Sequence, residues 1–271
     1  MFAMNICIQD PVEPLLFQRY SSPRCCLCGE IALLTGEHKL KAAILKQEFG
    51  KDQLSVHRGS EERGRIAQSV KSKHLKFESR ICQTCNGART QLPDREFDKF
   101  SMLALQRLRL QQEPKSLLDD VGYQVGSPSY LNLFRYFAKL LCCHLAEIDA
   151  PIPRRLSQFT ISKSQCNCVW LDIRRDWTYE QAEAQLGEFQ YAAHGGLLVY
   201  SNRANNAPER FHSTVTFGPL QYVFFIYLAP IEILELKYIY REFYDWCCLR
   251  VELAKQTPLS DNHWRSVGFL E

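Results

Sequence analysis

The chain is 271 residues long, 46% hydrophobic and 12% aromatic, enough apolar material to bury a core and to exclude wholesale disorder. With 33 basic against 30 acidic side chains the formal net charge is only +3, so any electrostatic case for a partner has to be local. The longest uncharged apolar run, Tyr222 to Ile231, is about half of what a membrane-crossing helix needs, and Met1 to Asp10 has no basic stretch ahead of its apolar residues. The setting expected from these features is a soluble, unexported, cytoplasmic protein.

Residues 1–22 carry two prolines, show no sustained period and end at Ser21-Ser22-Pro23, a turn signal; they read as an N-terminal arm. Residues 23–110 form the first expected domain. A cysteine pair stands at each end of a polar, basic insertion, and Arg95 to Leu110 closes the segment as a helix, with Phe97, Phe100, Leu103, Ala104 and Leu108 at helical spacing. Residues 111–128, with Pro114, Gly122, Gly126 and Pro128 among polar residues, have the composition of a linker. Residues 129–271 form the second expected domain. Tyr130 to Glu147 predicts a helix stopped by Pro151 and Pro153. Val169 to Ile173, Gly196 to Tyr200, Phe211 to Phe217 and Val223 to Tyr227 predict short strands, while Ile231 to Glu252 fits a strand pair or an amphipathic helix equally. The fold class expected is α+β, a helix on a mostly antiparallel sheet in the second half. The aromatic strand Tyr222 to Ile226 reads as core, and the role of this half is unassigned.

Twelve cysteines are the unusual count. Cys25-x-x-Cys28 and Cys82-x-x-Cys85 are two knuckles of the kind that grips tetrahedral zinc, because a two-residue spacer lets one tight turn aim both sulfurs at a point. Redox motifs usually come as a single pair, whereas two pairs bracketing a polar segment point to a structural zinc. Cys26 reads as a bystander, and the doublets Cys142-Cys143 and Cys247-Cys248, within apolar stretches, read as packing residues. Four sulfurs leave no open coordination position, so this zinc would not activate water. The insertion is longer than a simple zinc ribbon requires. It holds Glu37-His38 after a short strand expected at Ile31 to Thr35, and Gly36 would permit a bend there.

Residues 39–80 contain eleven basic and five acidic side chains, a local balance of +6 against −3 elsewhere. Such a segment would attract phosphate backbone without reading bases, and it lacks the interleaved aromatics of a single-strand platform, so duplex nucleic acid is the expected partner. A solvated loop accounts for the composition of Gly50 to Ser72 equally well.

Together the residues resemble the zinc-stapled branch of the HNH endonucleases, whose active site is a ββα-metal motif. The match runs through Cys25-x-x-Cys28-Gly29, Leu34-Thr35-Gly36-Glu37-His38, Ile81-Cys82-x-x-Cys85-Asn86 and Arg89-Thr90-Gln91, in order and spacing, over about residues 23 to 110. The resemblance implies a metal-dependent endonuclease with His38 as general base and with Glu37 and Asn86 as ligands of a catalytic Mg2+ or Mn2+. Phosphodiester hydrolysis needs such a hard ion to neutralise phosphate charge, and oxygen donors suit it. The sequence departs from the family at Phe77 to Arg80, where an asparagine is usual; His74, Asn86 or Asp94 would have to fill that role. Alternative readings stay open. Asn86 could cap the next helix, Asp94 and Asp98 could be helix-terminal charges, and the whole segment could be a non-catalytic zinc module that binds nucleic acid or protein. An RNA-directed enzyme on the same scaffold is a third reading.

Overall fold

The computed structural model describes residues 15–50, 54–56, 65–67, 69–187, 190–201 and 206–256. Most of the expected N-terminal arm lies outside these residues, as do Lys51, Arg58 and Arg63 of the basic segment.

In chain order, β1 (Phe17–Gln18) leads to the first knuckle and β2 (Leu34–His38), which starts and ends three residues later than the strand expected from sequence. Helix α1 (Ala42–Phe49) and the small pair β3 (Leu54–Val56) and β4 (Arg65–Ala67) precede β5 (Lys76–Cys82). The second knuckle opens a wide helical turn, Cys85–Arg89, that runs into α2 (Gln91–Arg109). The stretch expected to be a linker contains two short tight helical turns, Pro114–Asp119 and Val121–Tyr123, with Leu117 and Tyr123 buried. Helix α3 (Pro128–Glu147) follows, started by Pro128 at its first turn and by the Ser127 hydroxyl, which accepts from the Tyr130 N–H.

Next come β6 (Ile152–Pro153), α4 (Arg154–Thr160), β7 (Trp170–Arg175), α5 (Trp177–Leu186), β8 (Ala192–His194), β9 (Leu198–Ser201), β10 (Pro208–Phe217) and β11 (Leu220–Tyr227). Strands β7, β11, β10 and β8 lie side by side, with β9 also on β10, in a fully antiparallel five-stranded sheet. The segment that fitted strand pair or helix is helical: α6 (Pro230–Ile239) and α7 (Arg241–Gln256). Its ambiguity has a physical cause, since Ile231, Leu234, Tyr238, Leu249 and Leu253 are exposed and blur the apolar stripe. Mixed helix and sheet, the coarse class read from sequence, is what the chain forms.

Helix α3 is buried on nearly every side, as a helix apolar all round must be. One flank meets α2 and β5, the other the inner face of the sheet. Phe97 of α2 stacks on Tyr136 of α3 at 4.0 Å and meets Phe137 and Tyr222 edge-on at 5.5 and 5.3 Å, so one ring joins α2, α3 and β11. The core is accordingly continuous across residues expected to belong to two domains. The N-terminal strand is fastened to the other end of the chain, because Glu235 of α6 accepts from the Leu16 and Phe17 N–H groups at 2.8 and 2.9 Å while β1 pairs with β6.

Three polar side chains inside α3 each point at a different neighbour. Arg135 donates to the Phe159 carbonyl and to Gln165, Lys139 reaches the N-terminal unit, and His144 Nε2 lies 3.0 Å from the Ser213 hydroxyl of β10. Burial, with smaller contributions from the charges of His194 and Lys39, pushes the His144 pKa well below the ordinary 6.5. The unfolded chain therefore takes up a proton below about pH 6.5 that the folded chain refuses. Stability is intact above that pH and falls as pH drops, by at most about 1.4 kcal/mol per unit. Urea midpoints measured from pH 7.5 down to 5 should decline; His144→Gln, which keeps a polar partner for Ser213, should be less stable at pH 7.5 and show a shallower decline.

Candidate metal centre and its surroundings

The first knuckle is a tight loop. Cys25 N–H donates to the Glu30 carbonyl, Gly29 N–H returns to the Cys25 carbonyl, and Gly29 adopts φ +76°, which a side chain at this position would resist. The second knuckle starts where β5 ends, and β2 pairs with β5 so that Leu34 faces Cys82. The hairpin thus carries the second pair of thiols to the first across more than fifty residues. The Sγ atoms of Cys25, Cys28, Cys82 and Cys85 all lie within 4.8 Å of one another, with Cys28 and Cys82 at 3.8 Å. Sulfurs at tetrahedral positions about 2.3 Å from zinc stand about 3.8 Å apart, so the donor set and its spacing fit a metal such as zinc.

The surroundings suit thiolates. The Cys82 N–H points at Cys25 Sγ at 3.3 Å, and the Arg89 guanidinium lies 3.4 Å from Cys85 Sγ. A hydrogen bond from Cys85 pulls the Cys25 thiol down to about 4, and the same bond together with burial pushes Cys85 far up. A cation joining the four sulfurs would compensate the charge of the thiolates it binds. Cys26, Cys142, Cys143 and Cys247 are buried, as packing residues should be, and no disulfide forms among the described residues.

The residues expected to hold a second, catalytic ion are only partly brought together. Glu37 and His38 sit at the end of β2, beside a bulge in which Glu37 alone spans Phe77 to Ser79 of β5. The bulge supplies the irregularity, whereas Gly36 is ordinary extended backbone paired with Arg80. Asn86 does not cap α2; its amide N–H donates to the Thr35 hydroxyl at 2.9 Å, two residues upstream of Glu37 on β2. His74 lies in the short turn Lys73–Leu75 ahead of β5.

Glu37 instead meets Asp94, through a third residue. Lys139 Nζ of α3, whose side chain has 0% exposure, lies 3.0 Å from Glu37 Oε1 and 2.6 Å from Asp94 Oδ1. Lys41 stands 3.6 Å from Asp94 and from Asp98, so two ammonium groups sit among three carboxylates. The charges of Glu37 and Asp94 outweigh desolvation and push the Lys139 pKa up, keeping it a cation. Asp98 is shifted up by burial, against the pull of Lys41, and its Oδ1 has no partner among the described residues. His38 is held below its ordinary pKa by burial, against the charge of Glu37, and its buried Nε2 is likewise without a partner. Among the described residues the four cysteines are the one group of three or more metal-ligating side chains of cysteine, histidine or carboxylate type that converges.

Lys139 was not singled out by sequence reasoning. The available signal was a lysine in the middle of an otherwise apolar helix, four residues after Arg135, where solvated charge is out of place. No known protein family, curated protein or solved structure matches the chain. No described helix is long and apolar enough to cross a membrane.

If the four sulfurs grip one ion, metal analysis of purified protein should find about one zinc per chain. Cys28→Ser and Cys85→Ser should each lose it and lower the melting temperature, whereas Cys143→Ser should retain it.

Proposed function

We propose that this chain is a zinc-stapled ββα module of the HNH-like kind that binds the phosphate backbone of nucleic acid, duplex DNA foremost, without cutting it. The observation that carries the reading is Lys139. A fully buried ammonium lies between Glu37 and Asp94, two oxygen donors that a hard divalent ion would draw on, and its charge already compensates the carboxylates. A Mg2+ or Mn2+ entering there would have to displace a lysine held by two charge-assisted hydrogen bonds, or sit against its positive charge. Asn86, the other oxygen donor implied by the family resemblance, is anchored through its amide N–H, which donates to the Thr35 hydroxyl two residues before Glu37.

In this reading zinc holds the two knuckles together, the β2–β5 hairpin and α2 form the binding body, and Lys139 locks that body to α3. Support for a phosphate partner is the basic excess of residues 39–80. Two of its lysines are taken up inside the fold, Lys39 by Glu147 at 2.6 Å and Lys41 by Asp94 and Asp98, while Lys46, Lys71 and Lys73 are exposed. Contacts of that type position a backbone and carry little sequence information.

Metal-dependent hydrolysis is the second reading, and one observation favours it. His38 presents a buried, unpartnered Nε2, and its lowered pKa keeps the ring in the neutral form that a general base requires. Glu37 and Asn86 would then hold the ion.

One pair of measurements separates the two. Zinc-loaded protein titrated with Mn2+ should show no second site in the micromolar range, and supercoiled plasmid should stay intact with Mg2+ or Mn2+ while being retarded on a gel, less so as salt rises. Cutting that disappears in His38→Ala, together with a Mn2+ site lost in Glu37→Gln, would overturn the binding-only reading. Lys139→Met should destabilise the protein by less than the about 3–5 kcal/mol that breaking a fully buried pair costs, because Glu37 and Asp94 are half-buried and Lys41 still faces Asp94.

A further inference from the structure

Helix α2 buries Phe97, Phe100, Ala104 and Leu108 on one side and leaves the other to solvent. Gln91, Arg95, Lys99, Met102, Gln106 and Arg109 stand three or four residues apart and all six are exposed, so they form one straight strip along the outer side. At 1.5 Å per residue the strip is about 27 Å long. Helical projection puts Arg95 and Gln106 within about 20° of each other along its middle, with Lys99 on one side and Arg109 on the other.

Charge around this helix is sorted by sign. Its three acids have partners inside the fold: Asp94 faces Lys139 and Lys41, Asp98 faces Lys41, and Glu96 accepts from the Tyr123 hydroxyl. Arg107 is committed to Asp120 and Ser116. Among the described residues Arg95 and Arg109 have no ionic partner, and Lys99 has only a 3.9 Å approach to Glu96. Solvated helix faces ordinarily mix both signs in pairs one turn apart. The strip carries cations, amides and a thioether, and no acid.

That composition complements a polyanion with hydrogen-bonding edges. A helix with its side chains is about 10–12 Å across, and the major groove of duplex DNA is about 12 Å wide. Within it Arg pairs in bidentate fashion with guanine, Gln does so with adenine, and apolar side chains meet the thymine methyl group. The strip has no aromatic ring on which an unpaired base would stack. We propose that α2 lies in the major groove of duplex DNA, with Arg95 and Gln106 toward base edges and Lys99 and Arg109 toward the phosphates on either side. This placement rests on the phosphate-binding function proposed above and adds sequence readout to it.

The test uses the full zinc-loaded chain and a pool of randomised duplex DNA of about 20 base pairs, a length that exceeds the strip. Duplexes recovered on the chain and sequenced should share a motif of a few base pairs. Methyl green, which occupies the major groove, should compete with the chain for the enriched duplex, and distamycin, which occupies the minor groove, should not. Arg95→Ala should weaken binding to that duplex by about 5- to 100-fold. Arg95→Lys, which keeps the charge and loses the planar fork, should hold affinity for unselected duplex while losing the preference. Lys99→Ala and Arg109→Ala should weaken all duplexes alike and flatten the salt dependence. Circular dichroism and zinc content should be unchanged throughout, because these side chains are exposed. Duplex binding that ignores Arg95, Lys99 and Arg109 yet falls in Lys71→Glu with Lys73→Glu would overturn the placement of α2 and leave the phosphate-binding function standing. Absence of duplex binding would sink both. Retention of polyglutamate as strongly as of duplex DNA would also overturn it, reassigning the strip to an acidic polypeptide.

Discussion

A single ammonium group organises this protein. Lys139 projects from the middle of α3, out of contact with water, into two carboxylates contributed by β2 and α2. Charged groups survive burial only when paired and hydrogen-bonded, so Glu37, Asp94 and Lys139 depend on one another for being there at all. The pairing also fixes how the two halves of the chain meet. Strand β2 and helix α2 belong to the segment that carries the four-cysteine cluster, and α3 carries the inner face of the sheet on its opposite flank, so one cation joins the cysteine-bearing segment to the sheet-bearing half. Removing it would leave Glu37 and Asp94, both half-buried, with only Lys41 at 3.6 Å from Asp94 to offset their charge.

The stapled segment depends on that support and on its sulfurs for different reasons. A hairpin of five and seven residues with a bulge in it has little apolar surface of its own, and small units of this kind usually need a metal or a larger neighbour to be stable. The four thiols close one end, where Cys82 terminates β5. The Phe97 ring, stacked on Tyr136, closes the other by drawing α2 into the shared core. Between them lie Glu37 and His38, and the bulge that aims them also gives Glu37 access to Lys139. The same local irregularity would serve a metal site or an ion pair; the third partner decides which.

The sheet shows a parallel division of labour between its faces. Phe211, Tyr222, Phe224 and Ile226 turn inward to α3 and are buried, while Trp170, Phe225 and Tyr227 turn outward. Strand alternation makes the separation unavoidable, because neighbouring residues on a strand cannot share a face. Adjacent aromatics such as Phe224 and Phe225 therefore have opposite fates that a run of apolar letters conceals.

Sequence by itself determined the elements whose signals are local. Two cysteine knuckles, the helices around Arg95 to Leu110 and Tyr130 to Glu147, and the strands near residues 170, 198, 211 and 223 all follow from spacing, caps and period, and the structure contains each of them. Convergence of the four sulfurs was legible for the same reason, since two-residue spacers constrain their own geometry. Tertiary structure decided what depends on distant partners. That Glu37 faces an ammonium rests on a lysine more than one hundred positions away; that Asn86 donates to Thr35 and does not cap α2 rests on how the second knuckle docks against β2. Which apolar residues of the strands meet α3 was settled by the side on which that helix packs, and on the other face Trp170 and Tyr227 are exposed while His212 and Val223 are buried. Those outcomes are properties of packing between segments far apart in the chain, and no window of residues around each one contains them.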